Sequence, residues 1–224
     1  MTENTFPLIG DKAPEFIAST TNGQINFPND FKGKWVVFFS HPSDFTPVCT
    51  TEFIEFQRNI ADFERINTQL LGLSVGALSS HLAWFDAIEH LENGEKITFP
   101  LIDDLNMKIA KKYGMIQPSV SDTHAVRAVF IIDPNSIVRA ILYYPTSLGR
   151  NINEIKRMVI ALQTADKFKV ATGANWTPGE DVVVPAPATA TQMRKLKKDW
   201  FLQYKKLPKA KIYETLHKKS DRKK

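Results

Sequence analysis

The sequence predicts an α/β fold with a mixed central sheet flanked by helices, followed by a C-terminal arm. Apolar runs of strand length alternate with segments whose apolar residues recur every three or four positions. Two adjacent strand-like runs are joined by an Asp-Pro turn, which makes the sheet mixed rather than wholly parallel. Near residue 166 the pattern loosens into a Pro/Gly-punctuated and then Lys-rich stretch, so the expected division is a domain over 1–165 and an extension over 166–224.

Taken in order, Trp35 to Ser40 (WVVFFS) is a short continuous run of aromatic and β-branched residues, which suits a strand buried on both faces. From Thr50 to Ile66 the residues Phe53, Ile54, Phe56, Ile60, Phe63 and Ile66 lie at helical spacing, with Glu52 and Glu55 in the first turns, and predict one amphipathic helix. A strand at Leu70 to Val75, a helix around Ser80 to Leu91 and an extended FPLI at Phe99 to Ile102 follow. A helix from Asn106 to Tyr113 is closed by Gly114. Ala128 to Ile132 and Ile137 to Tyr143, joined by DPNS, form an antiparallel hairpin, and a helix runs from Asn153 to about Asp166. Beyond it, VVVPAPATAT reads as a linker, and the arm carries the aromatic anchors Trp200, Phe201, Tyr204 and Tyr213.

The formal charge of +5 is unevenly distributed. Gln192 to Lys224 holds 13 Lys or Arg against 3 Asp or Glu, while the rest holds 16 against 21, so the basicity belongs to the tail. The first thirty residues show no apolar core behind a basic start, and no window approaches the length of a membrane span. One cysteine in 224 residues cannot form an internal disulfide, which points to a reducing compartment, with cytoplasm expected.

That cysteine, Cys49, stands between the strand ending at Ser40 and the helix beginning near Thr50. Free cysteines titrate near ~8.5 and are reactive only as thiolates, so a reactive one needs a positive environment. A helix N-terminus supplies part of it. Pro42 and Pro47 stiffen the approach, and Thr46 lies one helical turn before Cys49 with a hydroxyl able to meet a ligand. Burial of a small hydrophobe has no use for such a polar, proline-stiffened approach.

Pro42-Ser-Asp-Phe-Thr46-Pro-Val-Cys49 resembles the PxxxTxxC motif of the peroxiredoxins, which are thioredoxin-fold peroxidases. HLAW at 81 to 84, PLIDD at 100 to 104, VRAVFIIDP at 126 to 134, GRN at 149 to 151 and VATGANWTPGEDVVV at 170 to 184 are similar to the one-cysteine branch, the peroxiredoxin-six type and its archaeal relatives. The resemblance implies a thioredoxin-like fold and a thiol-dependent peroxidase active in antioxidant defence against hydrogen peroxide and organic hydroperoxides. Cys49 would be the peroxidatic cysteine, becoming a sulfenic acid. Arg127 would favour the thiolate and hold the peroxide, Thr46 would hydrogen-bond the substrate oxygen, and Pro42 would shield the sulfur from water. Glu52 would orient Arg127, Arg150 would complete that network, and His41 fits the histidine beside the site. Without a second cysteine the sulfenic acid must be reduced by an external thiol of unknown identity. The resemblance further implies a homodimer, in some members assembled into rings of dimers, with no cofactor and no metal.

Two alternatives accompany this reading. Gly72-Leu-Ser74-Val-Gly76 matches GxSxG, the serine-hydrolase elbow, although Ser74 continues a strand rather than occupying a sharp turn. The Lys-rich arm could bind nucleic acid through its interleaved aromatics, but docking on a partner subunit is the preferred reading. The histidines, His41, His81, His90, His124 and His217, are scattered without metal-ligand spacing. A phospholipase motif of the mammalian branch is not carried over, because Lys34 in FKGKW stands where its serine belongs.

Overall fold

The computed structural model describes residues 6–196 and 199–217. The basic terminus 218–224 lies outside the described residues. Two compact units divide the chain, the first running to Glu64 and over Thr68–Ile152, the second comprising Arg65–Asn67 and Asn153 onward.

In the first unit the strands are β1 (Phe16–Thr20), β2 (Gly23–Phe27), β3 (Trp35–Ser40), β4 (Thr68–Ser74), β5 (Leu101–Asp103), β6 (Arg127–Ile132) and β7 (Val138–Tyr144). They form one sheet in the order β2-β1-β5-β4-β3-β6-β7. β3 is parallel to β4 and antiparallel to β6, so the sheet is mixed. The β1–β2 hairpin was not anticipated, although Asn22-Gly23 is a turn signal and Gly23 takes φ +104°.

β3 sits in the interior of the sheet, with all six residues buried. Its alternation sends Phe38 and Phe39 to opposite faces. Phe38 meets Tyr113 edge-on at 4.9 Å between centroids, within a cluster that includes Phe27, Leu71, Met115 and Phe130. Phe39 stacks on Phe56 at 4.2 Å and meets Phe53 at 5.6 Å. Phe53 and Phe56 belong to helix α1 (Pro47–Arg58), whose N-cap is Thr46 in extended conformation and whose first residue is a proline, a position where the missing N–H costs nothing.

The single helix expected from Thr50 to Ile66 is two: α1 stops at Asn59, and α2 (Ile60–Arg65) begins after it. The Asn59 side chain donates to Glu55 O at 2.8 Å, an amide-to-carbonyl bond competing with the helical ladder while the apolar periodicity runs on. Helix α3 (Leu78–Glu89) buries His81, Trp84 and Ile88. Helix α4 (Lys108–Lys112) is shorter than predicted. Asp104 caps it by accepting from Ile109 N and Ala110 N, and Gly114, at φ +66°, ends it.

The second unit contains α5 (Ile152–Phe168), β8 (Val182–Val184), α6 (Ala190–Arg194), β9 (Gln203–Lys205) and α7 (Lys209–His217). β8 and β9 pair antiparallel, with Val183 opposite Tyr204. The start of the segment expected to be a linker is therefore a strand: three β-branched valines, the first of them fully buried, outweigh the Pro-rich sequence after them.

Candidate active site

The site lies where β3 ends and α1 begins. The chain leaves the sheet at Ser40, passes His41 and Pro42, turns through Phe45 in the left-handed region (φ +55°), and enters α1 at Pro47. Cys49 is therefore in the first turn of α1, near backbone N–H groups without helical partners, and its side chain is fully buried.

Arg127 opens β6, the strand beside β3, and β7 beyond it leads through Thr146 to Arg150. Arg127 Nη1 donates to Cys49 Sγ at 3.2 Å and to Glu52 Oε2 at 2.8 Å. Its Nε and Nη2 donate to Thr146 O at 3.1 and 2.8 Å, which fixes the plane of the guanidinium. Glu52, three positions after Cys49 on α1, also takes Arg150 Nε on Oε1 at 2.9 Å and Arg150 Nη2 on Oε2 at 2.6 Å. Arg150 Nη1 donates to Ser40 O and Ala128 O, and the guanidinium lies 5.1 Å over the Phe39 ring. One buried carboxylate thus serves two buried cations, leaving a positive excess facing the sulfur. Arg127 Nη1 aims one N–H directly at that sulfur.

Thr46 is half-buried, and its hydroxyl donates to Ser43 O at 2.9 Å. The proton expected to meet a substrate is therefore engaged within the loop, and Thr46 Oγ1 keeps lone pairs able to accept from a peroxide O–H. Pro42 is half-buried in the same loop. The structure brings Pro42, Thr46, Cys49, Glu52, Arg127 and Arg150 into one region, and His41, fully buried, begins the loop that links Ser40 to α1.

The sequence reading missed a cluster around Asp44. This carboxylate accepts from His41 Nε2 at 2.9 Å, His81 Nδ1 at 2.7 Å and Ser80 Oγ at 2.7 Å. Burial alone would raise the Asp44 carboxyl, but the hydrogen bonds from His41, His81 and Ser80 outweigh it and hold the group well below the usual carboxylate range. An ionised Asp44 requires both rings to donate, which leaves His41 Nδ1 and His81 Nε2 as buried nitrogens without a hydrogen-bond partner. Burial, with His81 and Arg150 nearby, pushes His41 below its ordinary value despite Asp44, so its second nitrogen stays unprotonated. The HLAW segment was visible in sequence, but nothing there showed that His81 and Trp84, three positions apart on α3, would reach back to this loop. Trp84 Nε1 donates to Thr50 Oγ1 at 3.3 Å.

The glycines of GxSxG have packing reasons. A Cβ on Gly72 would come within 3.1 Å of Leu101 Cδ1, and one on Gly76 within 3.0 Å of His81 Cε1. Ser74 is the last residue of β4 and is buried, with no base placed against its hydroxyl. Among the described residues no group of three or more His, Cys, Asp or Glu could hold a metal ion.

Comparison with known proteins adds a family to this geometry. The model of the AhpC/TSA family matches residues 9–141, and that of the C-terminal domain of 1-Cys peroxiredoxin matches 161–198. A peroxiredoxin of Methanosarcina mazei is 55% identical over 215 residues, covering 89% of this chain and 98% of that protein. A yeast mitochondrial 1-Cys peroxiredoxin, solved to explain thiol resolution via glutathione and thioredoxin systems, superposes with a TM-score of 0.81 at 36% identity, over 89% of this chain and 99% of that one. Peroxiredoxin 6 of Arenicola marina, solved as a Cys-to-Ser mutant, gives 0.81 at 32% identity, over 90% and 99%.

Proposed function

Because the chain belongs to the AhpC/TSA family of peroxiredoxins, thiol-dependent peroxidases, and has one cysteine, we propose that Cys49 is the peroxidatic residue and that Arg127, Thr46 and Pro42 build its pocket. The observation that carries this is the 3.2 Å approach of Arg127 Nη1 to Cys49 Sγ. The thiolate attacks the terminal peroxide oxygen, the O–O bond breaks, and the leaving alkoxide or hydroxide takes a proton to become alcohol or water. Cys49 is left as sulfenic acid. Arg127 stabilises charge spreading along the S–O–O line, Thr46 accepts from the peroxide O–H, and Pro42 limits access of water. Glu52 and Arg150 hold Arg127 in place.

An external thiol then attacks the sulfenic sulfur and expels water, and a second thiol releases Cys49 as a thiol with formation of a disulfide between the two reductant sulfurs. Reductants of the glutathione or thioredoxin kind, as used by the yeast relative, are the class we assign. A reducing compartment suits this chemistry, and we place the protein in the cytoplasm. Among the described residues no helix is long and apolar enough to cross a membrane. We further assign the extension over 166–224, which falls within the second unit, as a dimerisation arm, with rings of dimers as the larger assembly.

The test is peroxide consumption with excess thiol, alongside the intact mass after peroxide. Cys49→Ser abolishes consumption and the single added oxygen, whereas Ser74→Ala retains both. Equal activity of Cys49→Ser and wild type rejects the assignment.

A further inference from the structure

At the end of the sheet opposite Cys49, the first unit holds a cavity of about 430 Å³ that the peroxidase reaction does not use. Trp35 and Thr68 stand side by side at the start of the parallel strands β3 and β4, and Ser40 and Leu73 stand together at the other end, where the chain leaves for Cys49. Thr68 lines the cavity, so roughly 16 Å of strand lies between it and the end that carries the cysteine. The volume is that of a small-molecule site. Phe31, Ile60, Leu70, Phe99 and Pro100 supply its apolar lining. Phe99 is not free to swing in and fill the space, because its ring packs against Phe53 at 5.3 Å and Phe39 at 5.8 Å. Phe31 is likewise held by Phe27 at 5.5 Å. Hydrogen bonds tie the walls: Asn22 Nδ2 donates to Thr98 O at 2.9 Å, and Thr98 N donates to Gln57 Oε1 at 2.9 Å. The cavity is therefore preformed.

Its charge has one sign. Asp30 and Glu64 line it, and no Lys, Arg or His does. Both carboxylates are exposed, which puts them at the mouth above the apolar floor. Asp30 Oδ2 accepts one backbone bond, from Asn26 N at 2.7 Å, and Glu64 has no hydrogen bond or ion pair among the described residues. A phosphate or carboxylate ligand would be repelled by this mouth, while a cation would meet two carboxylates and, deeper in, the faces of aromatic rings. We propose that the cavity binds a small organic ammonium ion, with its apolar body on Phe31, Leu70 and Phe99 and its protonated amine at Asp30 and Glu64. Exposed ion pairs contribute modestly, so the apolar body supplies most of the affinity and the carboxylates decide the sign of the ligand.

The probe is phenethylammonium, and phenylpropionate, of similar size and opposite charge, is the comparison. Each is titrated into the full-length protein carrying isotope-labelled Ile and Leu methyl groups, and the methyl resonances are followed by NMR. Saturable shifts are expected at Ile60 and Leu70 with phenethylammonium, and binding at least ~5-fold weaker with phenylpropionate. Glu64→Gln keeps the shape of an exposed, unpaired side chain and removes its charge, so it weakens phenethylammonium about 3- to 5-fold, and Glu64→Lys narrows or reverses the preference between the two probes. The site is overturned if phenethylammonium gives no saturable shift up to about 10 mM, where even a modest ligand of this size binds. It is equally overturned if the shifts fall on methyl groups remote from the cavity, if the two probes bind alike, or if Glu64→Gln leaves the affinity unchanged. Peroxide consumption is not read, so each of these outcomes bears on this cavity and leaves the assignment of Cys49 untouched.

Discussion

Arg150 Nη2 lies 2.6 Å from Glu52 Oε2, with both side chains almost completely buried, and the same oxygen accepts from Arg127 at 2.8 Å. Taking one carboxylate away leaves two desolvated guanidinium groups facing each other. Removal of one partner of a buried pair costs about 3–5 kcal/mol. Glu52→Gln is therefore expected to lower unfolding free energy by about that amount, measured by urea titration, and to slow the peroxide reaction at least ~10-fold because Arg127 loses its orientation. A stability within ~0.5 kcal/mol of wild type would show the pair to be electrostatically neutral overall.

Overoxidation follows from counting sulfurs. Cys49 is the one cysteine in the sequence, so no internal partner can trap its sulfenic acid as a disulfide. Excess peroxide without thiol is expected to carry Cys49 on to sulfinic and then sulfonic acid, seen by mass as two and three added oxygens. Non-reducing gels should show no linked dimer. A substantial dimer band would mean that two Cys49 side chains can meet, which a buried sulfur behind a closed loop does not permit.

How far the sequence revealed this architecture depends on the range of the interactions concerned. The strand at Trp35, the hairpin at Asp-Pro and the cysteine at a helix start follow from local periodicity and turn chemistry, and the structure contains each of them. The PxxxTxxC and VRAVF segments carried Cys49, Thr46 and Arg127 because whole motifs were legible. The break at Asn59 was not, since a side-chain amide bonded to its own preceding turn leaves the apolar pattern intact. Asp44 escaped for the opposite reason. Its partners Ser80 and His81 are 36 and 37 residues away, and only folding brings them to it. β8 was hidden by composition, because prolines after the valines outweighed a pairing that depends on Gln203 to Lys205.

Acidification is expected to destabilise the first unit. His41 is held below its ordinary value by burial, with His81 and Arg150 adding to the effect and Asp44 opposing it. As pH falls below 6.5 the unfolded chain takes up a proton at this residue that the folded chain does not, so stability present above 6.5 declines on the acid side. Asp44 acts in the same sense further down: its stabilisation is present above 3.8 and is lost as pH falls through the lower folded value. Urea titrations below 6.5 should show a decline of at most about 1.4 kcal/mol per pH unit from this one proton, reduced in His41→Asn. The same decline in His41→Asn as in wild type would assign it to other groups.

The arm offers two readings, and the structure suggests a sharper test of them than deletion of 192–224. Deletion would remove β9 and leave β8 without its antiparallel partner, so a lost assembly could reflect a broken ribbon. Phe201, Leu202 and Tyr204 are instead exposed at 65%, 46% and 60%, a short apolar run on and beside β9. Solvent exposure of three such side chains within four positions marks a surface that gains by being covered. A dimer arm covers it with a second subunit, where apolar contact dominates. A nucleic-acid arm uses the same rings as stacking platforms and depends on the surrounding lysines, so its affinity falls steeply with salt. Phe201→Ser with Tyr204→Ser keeps β9 as a strand and removes the rings. Light scattering is expected to show a smaller assembly for this variant, insensitive to salt in both proteins. An unchanged assembly, together with loss of a salt-sensitive affinity for single-stranded oligonucleotide, would overturn the dimer-arm proposal, because the rings would then be serving bases rather than another subunit.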